Sequence, residues 1–132
     1  MKAAAAGPEV HPDLAAYLAL VAEGDAFAAH EALEAAWRRP GDALARVDAV
    51  RALIQVAAAY VHRRRGNERG ARLLAVRATE GLRRPCPAAA ARCLAAAGID
   101  REALATRLAA LGPEPARWPD AFAVVLGGPV PD

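Results

Sequence analysis

The sequence predicts an all-α protein: a single helical bundle of five or six helices with a buried third helix at its centre. Three observations carry that expectation. The chain has 132 residues, the size of one ordinary domain. Its apolar fraction is 55%, much of it alanine, which is the best helix former and lets helices pack closely. The alternating Val, Ile, Thr and aromatic pattern of strands is nearly absent.

Capping residues and breakers then divide the chain. Met1 to Val10 reads as a loose tail. His11-Pro12-Asp13 starts a first helix, with Pro12 in the first turn and Asp13 at the positive end of the dipole. That helix runs to about Glu23, with Leu14, Leu18 and Val21 inward, and Gly24 ends it. Asp25 caps a second helix that stops before Pro40-Gly41. Asp42 is positioned to cap a third, running to about Arg65 and apolar around most of its circumference from Val47 to Val61, as a surrounded helix is. Gly66 can close it in the left-handed conformation, and Asn67 can cap a fourth helix over Glu68 to about Arg83. The line Gly70, Leu74, Ala78, Gly81 predicts a close helix crossing. Pro85-Cys86-Pro87 breaks the chain before a short fifth helix to Ala97, and Gly98 ends it. Asp100 caps a sixth to about Leu111, with Leu104, Leu108 and Leu111 inward. The bundle domain thus spans 11–111. From Gly112 to Asp132 the chain is Pro- and Gly-rich, with Trp118, Phe122, Val124, Val125 and Leu126 available to pack it back.

The net charge of +2 implies no particular partner. Its distribution is uneven: nine Arg against two Glu between Val61 and Arg92, and seven acidic against three basic residues up to Leu44. Arg63, Arg64, Arg65, Arg69 and Arg72 crowd the third joint, but no aromatics interleave to stack bases, which argues against nucleic acid. A solvated face is the simpler reading. No segment has the roughly 18 charge-poor apolar residues of a membrane span, and the start has no signal-peptide pattern. Cys86 and Cys93 show no CxxC spacing and, seven residues apart, are expected to be free thiols. A cytoplasmic protein is expected, with a homo-oligomer left open.

The unusual stretch is Ala26 to Trp37. On a wheel, His30, Glu34 and Trp37 share a stripe flanked by Phe27 and Leu33, which places an imidazole and a carboxylate in an apolar face. Arg51, Gln55 and His62 form a narrow stripe on the third helix, bordered by Ala58 and Ala59. If the two helices are antiparallel neighbours, the stripes can meet. Two imidazoles and a carboxylate (His30, His62, Glu34) suffice for an open divalent-metal site that keeps a water, with Glu31 as general base and Gln55 beside it. Against this stands a satisfied polar network, in which Glu34 accepts from Arg51 or Trp37 and His30 bonds Gln55 or Tyr60.

Three segments resemble a known family. Phe27-Ala-Ala-His30-Glu31-x-x-Glu34-x-x-Trp37, Leu53-Ile54-Gln55-x-Ala57-Ala58-Ala59-Tyr60-x-His62 and Gly66-Asn67-x-x-Gly70-Ala71-x-x-Leu74 are similar, in order, to the Domain of Unknown Function 309 family. The resemblance covers about Leu14 to Leu82. It implies an all-helical fold and importance for His30, Glu31, Glu34, Gln55, His62 and Asn67. It also carries the label of a metal-dependent hydrolase, but no substrate. Two functions follow as expectations: a metal-assisted hydrolase acting on a small molecule, or a non-catalytic scaffold whose polar cluster fixes helix register.

Overall fold

The computed structural model describes residues 10–127; the expected loose tail therefore lies, but for Val10, outside the described residues. Six helices follow one another, and there is no strand among those residues: α1 (Pro12–Ala22), α2 (Ala26–Arg38), α3 (Asp48–Arg64), α4 (Glu68–Leu82), α5 (Ala88–Ala96) and α6 (Arg101–Ala110). Two 3-10 turns, Pro115–Arg117 and Phe122–Val124, follow. No helix among the described residues is long and apolar enough to cross a membrane.

The helix starts obey local chemistry. The Oδ1 atoms of Asp25, Asn67 and Asp100 accept from the amides of Ala28, Gly70 and Ala103 at 3.0, 3.0 and 3.1 Å, each satisfying an amide that the first turn leaves without a partner. Gly24, Gly66 and Gly98 end their helices with φ near +80°, the left-handed cap that costs glycine no strain. His11 caps α1 through Nδ1, which accepts from the Asp13 amide at 3.1 Å.

Helix α3 is the axis. It packs against α2 on one side and α4 on the other. The buried Tyr17 of α1 donates to the Leu53 carbonyl at 2.7 Å, and the same burial pushes its hydroxyl pKa far up. Tyr60 stacks at a tilt on Trp118 and Phe122, with ring centroids 5.7 and 5.2 Å apart, and donates to the Pro119 carbonyl at 2.8 Å. Burial pushes the Tyr60 pKa up to about 12. So the Pro- and Gly-rich segment does fold back: Trp118, Phe122 and Val125 are buried. Arg63 fastens it, donating to the carbonyls of Pro115 and Trp118 at 2.7 and 3.1 Å. Part of the crowded arginine joint is therefore structural and not merely solvated.

Four expectations need correction. The core line of α2 is Ala26, Ala29, Leu33 and Ala36, so His30, Glu34 and Trp37 stand on its shoulder and not mid-face. Alanine permits the close approach to α3, and the larger side chains are turned aside. Asp42 does not cap α3: residues 42–47 turn first, and α3 starts at Asp48 after Val47 without a side-chain cap. On α1 the deep residue is Tyr17, fully buried, where Leu18 is only half-buried. The close crossing lies at Gly81 and not at Gly70. A Cβ on Gly81 would sit 3.2 Å from the Asp48 carbonyl oxygen and 3.3 Å from the Ala52 Cβ; a Cβ on Gly70 would meet Asn67, at 2.5 Å from Nδ2. Cys86 precedes α5 and Cys93 lies on it; both are free, as expected.

Because the Gly81 contact is with backbone, relief requires moving α4 away from α3. Gly81→Val is expected to destabilise the protein by about 1–3 kcal/mol, read by urea unfolding. An unchanged midpoint would mean that α4 crosses α3 elsewhere.

Candidate functional site

The sequence points to five residues, and the structure distributes them over one open face. Helices α2 and α3 are antiparallel neighbours. Trp37, near the end of α2, donates its indole N–H to the Val47 carbonyl at the start of α3, at 3.2 Å. The stripe of α3 that neither α2 nor α4 covers is Arg51, Gln55, Ala58 and His62, exposed at Arg51 and half-buried at the others. His30 and Glu34 are half-buried on the neighbouring shoulder of α2, and Glu31 is exposed.

Each polar group on this face has its own local arrangement. His30 Nδ1 lies 2.9 Å from the Phe27 carbonyl. A carbonyl can only accept, so Nδ1 carries the proton and Nε2 keeps a free lone pair. The ring also leans on Phe27, with centroids 5.3 Å apart. Glu34 pairs with Arg38 one turn on at 3.6 Å, with 38% of its side chain exposed. Neither Arg51 nor Trp37 donates to it. Arg46 and Arg51 instead lie over the Trp37 ring, 4.7 and 5.8 Å from its centroid.

His62 has the opposite tautomer. Asn67 Oδ1 accepts from the Gly70 amide, which orients the carboxamide so that Nδ2 faces His62 Nδ1 at 2.9 Å. Nδ2 is a donor, so Nδ1 must accept and the proton sits on Nε2. Binding a metal at Nε2 would need that proton moved to Nδ1, against a donor. His62 therefore does not suit the ligand role that the spacing proposes. His30 does suit it, since a backbone carbonyl on Nδ1 is the usual support of a metal-binding histidine.

Among the described residues, the ligand atoms that do converge, within 4.8 Å of one another, belong to His11, Asp13 and Asp42. None of His30, Glu34 and His62 is in that group. Sequence reasoning missed the cluster because His11 and Asp42 lie 31 positions apart, and no periodicity links them. The cluster already holds a cation: Arg39 donates to Asp13 at 3.0 Å and to Asp42 at 2.9 Å. Both nitrogens of His11 are also engaged. Nδ1 accepts from the Asp13 amide, so Nε2 donates to Asp42 at 2.9 Å. These residues fit a clamp that ties the start of α1 to the α2–α3 connection, and they do not fit a metal centre. Burial alone would raise the Asp42 pKa, but the Leu44 amide, His11 and Arg39 together hold it below the usual carboxylate value.

Two clefts flank α4. One, of about 260 Å³, is polar and lies between α3 and α4, lined by Asp48, Arg51, Gln55, Arg77, Glu80 and Arg84. The other, of about 360 Å³, is apolar and lies between α4 and α6, lined by Ala75, Val76, Leu108 and Ala109 among others. Of the five residues marked by sequence, Gln55 alone lines either.

The helices and their shared face define an all-helical bundle protein built on three consecutive antiparallel helices. Residues 14–74, which run from the first turn of α1 through α2 and α3 to the first half of α4, match the family model described as Domain of unknown function (DUF309), a match that supports membership of that family. Neither a curated protein nor a solved structure matches the chain.

The clamp has an acid signature. A carboxylate whose folded pKa is depressed adds stability that is present above its unfolded pKa of about 4 and is lost as pH falls through the folded value. Asp42→Asn is expected to cost about 1–3 kcal/mol at neutral pH and to flatten the fall in stability below about pH 4. Thermal unfolding between pH 2 and pH 7, on the order of the carboxylate range, checks both; parallel pH profiles for the two proteins would remove Asp42 from the clamp.

Proposed function

We propose that the protein acts by binding and not by catalysis: a helical scaffold whose uncovered α2–α3–α4 face receives a partner or ligand. The observation that carries this reading is the Asn67 carboxamide, which occupies Nδ1 of His62 and leaves the proposed metal set without its second imidazole. It is supported by the local satisfaction of the remaining groups. Glu34 has Arg38, His30 has the Phe27 carbonyl, and the one converging His/Asp cluster among the described residues carries Arg39 as its cation. On this reading the polar residues set helix register and give the face its chemistry.

A metal-dependent hydrolase is the second reading, and one observation favours it. His30 presents a free Nε2 lone pair, and Glu34 stands one turn away on the same shoulder. A divalent ion held by that pair would still need ligands from elsewhere, and Glu31, the proposed base, is exposed.

Metal content separates the two. Protein purified without chelator is expected to contain far less than one equivalent of any first-row metal, and chelator to leave its melting temperature unchanged. Glu34→Gln removes only an exposed pair and is expected to change stability by no more than about 0.5 kcal/mol. One tightly held equivalent of metal, lost in Glu34→Gln, would establish the hydrolase reading instead.

A further inference from the structure

We propose that the cleft between α3 and α4 binds a small anion through the guanidinium groups of Arg51, Arg77 and Arg84, the anionic group being a phosphate or a carboxylate. Several arginines in this protein are already committed. Arg39 is held by Asp13 and Asp42, Arg63 by the C-terminal turns, Arg101 by the carbonyls of Leu82 and Arg84, and Arg107 by the Val125 carbonyl. Arg51 and Arg77 are different. Among the described residues neither side chain makes a hydrogen bond or an ion pair, and both line the same cleft of about 260 Å³. Arg84 on its rim meets Asp48 only at 3.8 Å, with both side chains about half exposed, a contact worth little and readily exchanged.

The fold builds this cleft. Gly81 brings α4 onto α3 beside Asp48 and Ala52. Arg77 and Glu80 on α4, with Arg84 just past its end, then line one wall, opposite Asp48, Arg51 and Gln55 on α3. Trp37, tied to the Val47 carbonyl, lies under the Arg51 guanidinium and restricts where it can swing. Guanidinium is the group best matched to the paired oxygens of phosphate and carboxylate. Gln55, which also has no side-chain partner among the described residues, adds an amide donor. Asp48 and Glu80 face the same space, so a fully cationic pocket is not formed; their oxygens suit hydroxyl donors on the body of the ligand.

This site is independent of whether the chain holds a metal. Titration calorimetry of the full chain at low ionic strength, with inorganic phosphate and separately with succinate, tests it. Saturable binding of one anion per chain is expected, and which of the two binds more tightly identifies the charged group. Arg51→Gln and Arg77→Gln should each weaken binding by about 10- to 100-fold, the value of a charge-assisted hydrogen bond. Glu80→Gln should strengthen it severalfold, because a like charge leaves the cleft. Arg92→Gln, on the exposed face of α5, removes the same charge elsewhere and should leave binding unchanged. All four positions are exposed, so unchanged melting temperatures are expected to accompany these effects. No saturable binding of either anion, or an equal loss in Arg77→Gln and Arg92→Gln, would overturn the proposal.

Discussion

The carboxamide of Asn67 is the interaction on which the open face depends. Its oxygen accepts from the Gly70 amide and its nitrogen donates to His62. Those two bonds cap α4, fix how α4 leaves α3, and choose the tautomer of His62. They also explain the glycines around it. Gly66 turns the chain with φ +79°, and Gly70 leaves the space that the carboxamide fills. The segment from His62 to Gly70 is therefore one joint in which His62, Gly66, Asn67 and Gly70 fit one another. With the joint set, α4 crosses α3 at Gly81 about three turns further on, and the polar cleft opens beside that crossing.

A second constraint comes from alanine. The inner line of α2 holds three alanines and one leucine, and α3 buries four alanines of its own. Small side chains bring helix axes close and leave little apolar area to bury per residue, so polar anchors carry more of the specificity. The anchors are long-range and mostly run to backbone: Tyr17 to Leu53, Trp37 to Val47, Tyr60 to Pro119, Arg63 to Pro115. The His11–Asp42–Arg39–Asp13 clamp does the same at the start of α1. His11, Asp13 and Asp42, which look chemically reactive in isolation, here tie the start of α1 to the α2–α3 connection.

What was legible in the sequence was local. The caps at Asp25, Asn67 and Asp100 and the stops at Gly24, Gly66 and Gly98 are decided within four residues, and all six stand as expected. The stripe Arg51, Gln55, His62 was also legible, because α3 is long enough for its period to be clear. The orientation of α2 was not. A wheel weighted toward large apolar groups favours Trp37 and Phe27, whereas close packing selects Ala29 and Ala36; Phe27 is 49% exposed. The clamp was illegible for a different reason: its partners come from two separate segments, and only the packing of α1 on α2 brings them together. The tautomers of the two histidines depend on a carbonyl and a carboxamide, and residue spacing says nothing about either.

On the proposed binding reading, His30 and His62 are held in opposite protonation patterns by local partners, which would keep them from pairing as metal ligands. Long-range ¹⁵N–¹H spectra of the imidazole rings, recorded above the histidine titration range with and without added zinc, test this directly. The predicted result is a proton on Nδ1 of His30, a proton on Nε2 of His62, and a His62 signal that does not move when zinc is added. A proton on Nδ1 of His62, with zinc shifting Nε2 of both rings together, would contradict the account and restore the metal centre between α2 and α3.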